Sequence, residues 1–356
     1  MQNSFCNFAL MKNSKIKQAE FKQVRPYRII YPIIIGLAVV AYLFFKEFDI
    51  AVFTNNNIDF TWLSALFLFC ALLCMLGRDI GYMMRIRTLS DNTLTWRQAL
   101  RIIMLWEFTS AVTPSATGGT SVALLYIHRE GISVGRSTAI VMLTSLLDEL
   151  YFVLVFPLLV LLVGPALFNI PDSEAWSYGI LTVTIVGYSI KFAWFLLMVY
   201  GLFINARGFS KLVYWVFHFP FLRRWKRGAG KAANDIILAS EEIKSKKIKF
   251  WRNAFFSTFL SWTSRYWVVN FLFLAFFSVH DHFLIFARQL VMSIILLVSP
   301  TPGGSGVAEV MFSQFLEEFI PFAGFAIVLA LLWRIITYYP YLAIGAVMFP
   351  KWLAKH

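Results

Sequence analysis

The residues best placed to do chemistry lie in Ser299-Pro300-Thr301-Pro302-Gly303-Gly304-Ser305-Gly306-Val307-Ala308-Glu309. This stretch is set between apolar runs at 294–298 and 311–316, and its two prolines and three glycines exclude a continuous helix. Lipid offers the freed peptide groups no hydrogen bonds, so such a break at membrane depth must be buried in protein or line a cavity. A helix restarting after Gly304 and Gly306 presents unpaired N–H groups and the positive end of its dipole, with the Ser305 hydroxyl beside them. That arrangement suits an anion such as a lipid phosphate. Glu309 falls in the first turn, where the dipole favours a carboxylate for structure as well as for function.

The first half holds a similar break, Thr113-Pro114-Ser115-Ala116-Thr117-Gly118-Gly119-Thr120-Ser121, with Thr120 and Ser121 as its hydroxyls. Interrupted segments at corresponding positions of two halves point to the binding site of a transporter. Two interfacial loops, with hydroxyls that only cap their own helices, are the simpler alternative. Glycine at 119 and 304 implies close approach of backbone and ligand.

Charges inside apolar segments are the other candidates. Glu107 precedes the first break, Asp148 and Glu149 fall mid-segment, and so do Arg265 and Arg334. A charge at mid-bilayer costs about 2.5–3.5 kcal/mol on insertion scales, so Asp148 or Glu149 is expected to pair with Arg334 or Arg265. Lys191 and Arg288 are read as snorkelling side chains. Gly77 and Gly81 have the spacing of a close helix contact. A serine nucleophile at Ser305 would need a positioned base, and the five histidines lie in loops or at the ends of apolar segments. No catalytic residue, metal site or cofactor is therefore expected.

These candidates need a membrane frame. Of 356 residues, 59% are hydrophobic and 14% charged, too much apolar surface for a soluble domain of this size. The net charge of +13 sits in a few segments beside apolar spans, which indicates cytoplasmic loops touching anionic lipid rather than nucleic acid. Cys6, Cys70 and Cys74 form no disulfide framework. The reading is an all-α polytopic membrane protein with about six full spans and two re-entrant hairpins. A basic tail (1–28) precedes one transmembrane domain (29–349), and a short C-terminus (350–356) follows it. Spans are expected at 29–45, 60–76, 137–163, 178–204, 254–279 and 321–349, with Arg78, Arg85, Arg87, Arg97 and Arg101 in a loop after the second. The order span, span, hairpin, span recurs from the opposite face, which makes repeat one (about 29–163) and repeat two (about 178–349) an inverted pair. Residues 205–253 form the most basic segment, expected to be cytoplasmic and partly an amphipathic surface helix.

At Trp96-Arg97-Gln98-Ala99-Leu100-Arg101, the 113–119 break, Glu130-Gly131-Ile132-Ser133, Asp148 and the Pro300–Gly306 motif with Glu309, the sequence resembles the lysylphosphatidylglycerol synthase transmembrane-region family. The resemblance spans most of the chain. It implies a flippase-like domain that moves phospholipids, aminoacylated ones among them, between leaflets of a bacterial inner membrane. A stand-alone member without the synthetase domain is expected not to aminoacylate lipid. Family members carry an arginine-bearing helix after the first glycine pair, whereas residues 120–127 are uncharged here, and Thr144 and Ser145 stand where an arginine is common.

Together these readings give a lipid flippase or scramblase whose substrate site comprises Pro114, Gly118, Gly119, Thr120, Ser121, Pro302, Gly303, Gly304, Ser305, Gly306, Glu309, Glu107, Asp148, Glu149, Arg265 and Arg334. An intramembrane serine hydrolase or lipid-modifying enzyme, or a noncatalytic assembly partner, is the alternative. The Lys and Arg asymmetry places both termini and residues 205–253 in the cytoplasm. Membrane-impermeant thiol labelling of single cysteines placed in 205–253 is expected only after the membrane is opened; labelling of intact cells would reject this topology.

Overall fold

The computed structural model describes residues 60–113, 117–170, 173–216, 237, 240–241, 243–297, 299, 301, 303–322 and 324–354. Among them the structure is helical throughout, with α1 (Trp62–Leu89), α2 (Trp96–Val112), α3 (Thr117–Arg129), α4 (Val134–Val163), α5 (Glu174–Val199), α6 (Ala206–Val216), α7 (Ile248–Leu274), α8 (His282–Leu296), α9 (Val307–Leu316), α10 (Phe325–Thr337) and α11 (Tyr339–Ala354). A π-helical turn at Tyr200–Ile204 prolongs α5. The expected tail 1–28 and first span 29–45 lie outside the described residues, as does much of 205–253, although α6 opens that segment as an amphipathic helix.

Local chemistry sets several of the starts. Thr61 and Ser64 cap α1 reciprocally, and at α2 the Gln98 amide donates to Thr95 Oγ1 (3.3 Å) while Gln98 Oε1 accepts from the Thr95 amide (2.9 Å). Among the described residues four helical runs are long and apolar enough to cross a membrane: Trp62–Leu89, Val134–Leu167, Glu174–Ile204 and Phe325–Ala354. Helix α7 has 27 residues, enough for about 40 Å, but Lys249, Arg252 and Arg265 lower its hydropathy. The protein is thus an all-α polytopic membrane protein.

Two expectations about these elements are corrected. The second apolar run was read as ending at residue 76, with Arg78 and Arg85 in a loop; α1 instead continues to Leu89 and buries both arginines. Hydropathy ends where the first arginine appears, but the helix does not, because carboxylates on other helices neutralise these side chains. The last span, expected at 321–349, is present as one run long enough to cross, but as two helices broken at Tyr338 and not a single one. Pro340 lacks an N–H and its ring would meet the Ile336 carbonyl, so α10 stops before it and α11 restarts with proline in its first turn.

Helices α1 and α7 pack along their length through small residues. Gly77 faces Ser264 and Gly81 faces Ser261, and the Ser261 hydroxyl donates to the Arg78 carbonyl at 3.1 Å. The glycine spacing does mark a close helix contact. Helix α7 contributes to two large apolar clusters. One gathers α8, α9, α10 and the C-terminal half of α4; the other gathers α1, α2, α3 and the N-terminal half of α4. Each cluster contains one of the two Pro/Gly breaks' helices. A smaller cluster of Phe108, Ala111, Val112 and Leu342, flanked by Tyr338 and Tyr339, joins α2 to α11.

The seam predicts unequal costs at its two glycines. A Cβ at Gly81 would stand 2.8 Å from the Ser257 carbonyl and 3.0 Å from the Ser261 amide, whereas one at Gly77 meets only the movable Ser264 hydroxyl at 3.2 Å. Gly81→Ala should cost about 1–3 kcal/mol through overpacking against backbone. Gly77→Ala should cost far less, and thermal unfolding in detergent with both variants side by side reads the difference.

Candidate functional site

At the first break, α2 ends in hydroxyl-satisfied carbonyls: Thr113 Oγ1 donates to the Thr109 carbonyl at 2.7 Å, and Thr109 Oγ1 to those of Leu105 and Trp106 at 2.9 Å. Helix α3 starts at Thr117 and packs back on α2 so closely that a Cβ on Gly119 would lie 2.9 Å from the Ser110 amide nitrogen. The neighbouring helix by itself therefore requires a small residue at 119. Pro114 lies outside the described residues, as do the side chains of Ser121 and Pro302, while Gly118 and Thr120 belong to the first turn of α3.

At the second break three glycines take left-handed backbone, with φ of 57° at Gly303, 69° at Gly304 and 84° at Gly306. Residues with a Cβ pay roughly 1–2 kcal/mol for that conformation, which explains the density of glycine. Helix α9 then begins at Val307, and Glu309 Oε2 accepts a hydrogen bond from the Gly306 amide at 2.7 Å. Arg334 reaches across from α10: its Nε donates to Glu309 Oε1 at 2.9 Å and its Nη1 to the Gly303 carbonyl at 3.2 Å. Both side chains are buried, Glu309 with 2% and Arg334 with 5% of its surface exposed. Among the described residues no hydrogen-bond partner reaches Arg334 Nη2.

Tyr338, at the break between α10 and α11, connects the two motifs. Its hydroxyl donates to the Ala111 carbonyl at 3.0 Å, close to the end of α2. The same ring faces Gly303, where a Cβ would come within 2.7 Å of its Cζ, and it lies 4.8 Å beneath the Arg334 guanidinium. Ser305 is its other polar neighbour. The sequence singled out neither Tyr338 nor its role; the only local signal was a tyrosine two residues ahead of a proline inside an apolar run.

The remaining charges form a separate set along α1. Arg78 is fully buried between the Tyr82 and Tyr341 rings, 4.9 and 4.7 Å from their centroids. It is paired with Asp79 at 2.9 Å and with Glu107 of α2. The Tyr341 hydroxyl donates to both Asp79 oxygens, at 3.0 and 2.9 Å. Farther along, Arg85 pairs with Asp148 at 2.5 Å, and Asp148 also accepts from Trp262 Nε1 at 2.6 Å. Glu149 pairs with Lys191 at 2.8 Å.

The expected pairing of Asp148 or Glu149 with Arg334 or Arg265 is thus corrected: Arg334 belongs to Glu309, and Arg265 rests on the Trp262 ring at 5.7 Å. Arg85 escapes a hydropathy reading because it lies beyond residue 76, on the part of α1 where the apolar run has ended. Lys191 and Arg288 do not snorkel either. Arg288 is buried, donating to the carbonyls of Phe315 (2.7 Å), Ala166 (3.0 Å) and Asn169 (2.8 Å), and it pairs with Glu318 at 2.8 Å.

Removing one partner of a buried pair leaves the other charge uncompensated, at roughly 3–5 kcal/mol. Arg78→Met would strand two carboxylates and should fall in that range, whereas Arg265→Met, giving up a ring contact, should cost about 1 kcal/mol. Melting temperatures of the two variants in the same detergent check the order.

Comparisons with known proteins agree with this architecture. The chain is 25% identical over 314 residues to a UPF0104 membrane protein from Archaeoglobus fulgidus, covering 83% of this chain and 91% of that relative. No solved structure matches. A family model described as the lysylphosphatidylglycerol synthase TM region matches residues 29–345, so the chain, with its two glycine-rich breaks and its buried arginines, belongs to that family.

Proposed function

We propose that the protein is a flippase or scramblase, carrying a phospholipid or another lipid-linked anion between the leaflets of a cell's inner membrane along a path between two re-entrant hairpins. The observation that carries this reading is the convergence on Tyr338, whose hydroxyl holds the end of α2 while its ring covers Gly303. Two interfacial loops would have no reason to meet at one partly buried side chain. The helices flanking the breaks support it further: α2 and α3 have 17 and 13 residues, α8 and α9 have 15 and 10, all short of the roughly 20 needed to span. Each pair packs together and sits in its own apolar cluster, as two inverted repeats would.

The chemistry fits an amphiphilic anion. The start of α9 with Arg334 suits a phosphate. An almost wholly apolar crevice of about 380 Å³, lined by Trp176, Ile180 and Val183 of α5, Ile295 of α8 and Met311 of α9, adjoins the same helix and suits an acyl chain. Both termini and the basic segment 205–253 face the cytoplasm in this reading, where that segment meets anionic lipid. The family's name makes aminoacylated phosphatidylglycerol one lipid to include in any substrate panel.

Gly303→Ala sets a Cβ against Tyr338 on left-handed backbone and should stop lipid movement, measured with a fluorescent phosphatidylglycerol in proteoliposomes, at a stability cost of about 1–2 kcal/mol. Adding Tyr338→Ala should relieve the clash and recover part of the stability without restoring movement. Normal movement by Gly303→Ala would remove the breaks from the mechanism.

A further inference from the structure

Glu309 and Arg334 balance one another: one carboxylate, one guanidinium, both nearly sealed from solvent, with the carboxylate already holding the α9 N-terminus. A phosphodiester that enters beside Arg334 brings a second negative charge into a site with a single positive one. Two anions at close range in a low-dielectric site repel strongly, and proton uptake by one of them relieves that repulsion. The guanidinium keeps its proton at any physiological pH, so the adjustment falls on a carboxyl group. Glu309 is the only carboxylate on α9, since Glu317 and Glu318 follow its last residue.

The groups facing Glu309 leave no other candidate among the described residues. From α10 it meets Arg334, and from the α10–α11 junction Tyr338 and Tyr339, which are neutral phenols. Helix α8 contributes no charge near this end; its Arg288 is tied to Glu318 and the Phe315 carbonyl at the far end of α9. On α2 the first charged residue behind Ala111 is Glu107, committed to Arg78. Arg334 Nη2, buried and without a hydrogen-bond partner among these residues, supplies the donor that an entering oxygen would use.

Resting on the transport reading and deepening it, we propose that this is a proton-linked phosphodiester site, in which Glu309 takes up one proton for each anion bound. The proton comes from solvent, and no covalent bond is made or broken. As the neutral acid, Glu309 keeps its carbonyl oxygen for the Gly306 amide and turns its O–H toward the phosphate, while Arg334 transfers its charge from Glu309 to the ligand. Release reverses both steps. The bound state then carries the same net charge as the empty one, which lets the site move a single anion without moving net charge. The coupling has a definite sign: binding that takes up a proton is stronger at low pH and weakens as pH rises.

The test uses the full chain in detergent and two singly charged phosphodiesters, dioctanoyl-phosphatidylglycerol and its acyl-free headgroup glycerophosphoglycerol. Titration calorimetry in two buffers of different ionisation enthalpy counts the protons. For the wild type about one proton per bound anion is expected, with affinity falling about tenfold per pH unit over the range in which binding takes up that proton. Infrared difference spectra should show a protonated carboxyl appearing on binding. Glu309→Gln keeps one oxygen as acceptor for the Gly306 amide and puts an N–H donor where the neutral acid would place its O–H, so it should bind either ligand with no proton uptake and a flat pH profile. Arg334→Gln should lose binding by more than about tenfold.

Wild-type binding without proton uptake overturns the proposal, as does a Glu309→Gln variant that retains the wild-type pH slope; the wild-type buffer comparison decides even if a variant fails to fold. Proton-linked binding of glycerophosphoglycerol as tight as that of the lipid upholds the site and makes its ligand a free phosphodiester. Proton-linked binding with no lipid movement in vesicles upholds the site and sinks the flippase reading. Lipid movement without proton uptake does the reverse.

Discussion

A peptide bond that leaves a helix at membrane depth has no water to turn to, and the architecture around residues 299–309 follows from that constraint. Left-handed glycines let the chain reverse within a few residues, and the polar groups so exposed are then matched singly. Glu309 takes the Gly306 amide, and Arg334 takes the Gly303 carbonyl and the Glu309 carboxylate. The Arg334 side chain comes from α10, so the turn is stable only when α9 and α10 are packed together. Satisfying the break and assembling this half of the bundle are one event.

The other half is held by a different device, although the same rule governs it. Near the end of α2, Thr109 and Thr113 donate to carbonyls of the preceding turn and the Ala111 carbonyl accepts from Tyr338, while Glu107 on α2 meets Arg78 on α1. Arg78 lies between two aromatic faces and two carboxylates, an environment that recovers much of the solvation it gave up. Tyr341 ties α11 to the same cluster through Asp79, and Tyr338, three residues earlier, ties it to the second break. One short helix start thus senses both halves. Any rearrangement that shifts one break must be accommodated at 338–341, where the helix is already interrupted.

What could be read from residues alone were properties carried by single residues or short spacings. Membrane character, the all-helical class, the two breaks, the Gly77–Gly81 contact face and the acidic and basic side chains worth watching all follow from composition, proline and glycine chemistry and helical period. Partnership does not follow, since a charge advertises only that it needs an opposite one. Asp148 could be matched with any of several arginines, and the choice of Arg85 depends on α1 continuing past the point where its hydropathy falls.

Tertiary structure alone decided which groups meet, because a buried polar atom is satisfied by whatever packing brings within about 3 Å, and that distance is set by helices far apart in the chain. Hence Tyr338 carried no signal beyond its place ahead of Pro340, Gly119 proved to stand against Ser110, and Arg288 turned inward to three carbonyls. The sequence by itself determined that backbone must break twice in an apolar setting. The fold determined that the end of α2 and the second break meet at one tyrosine, with one arginine and one glutamate beside it, because packing brings those helix ends close enough to share their partners.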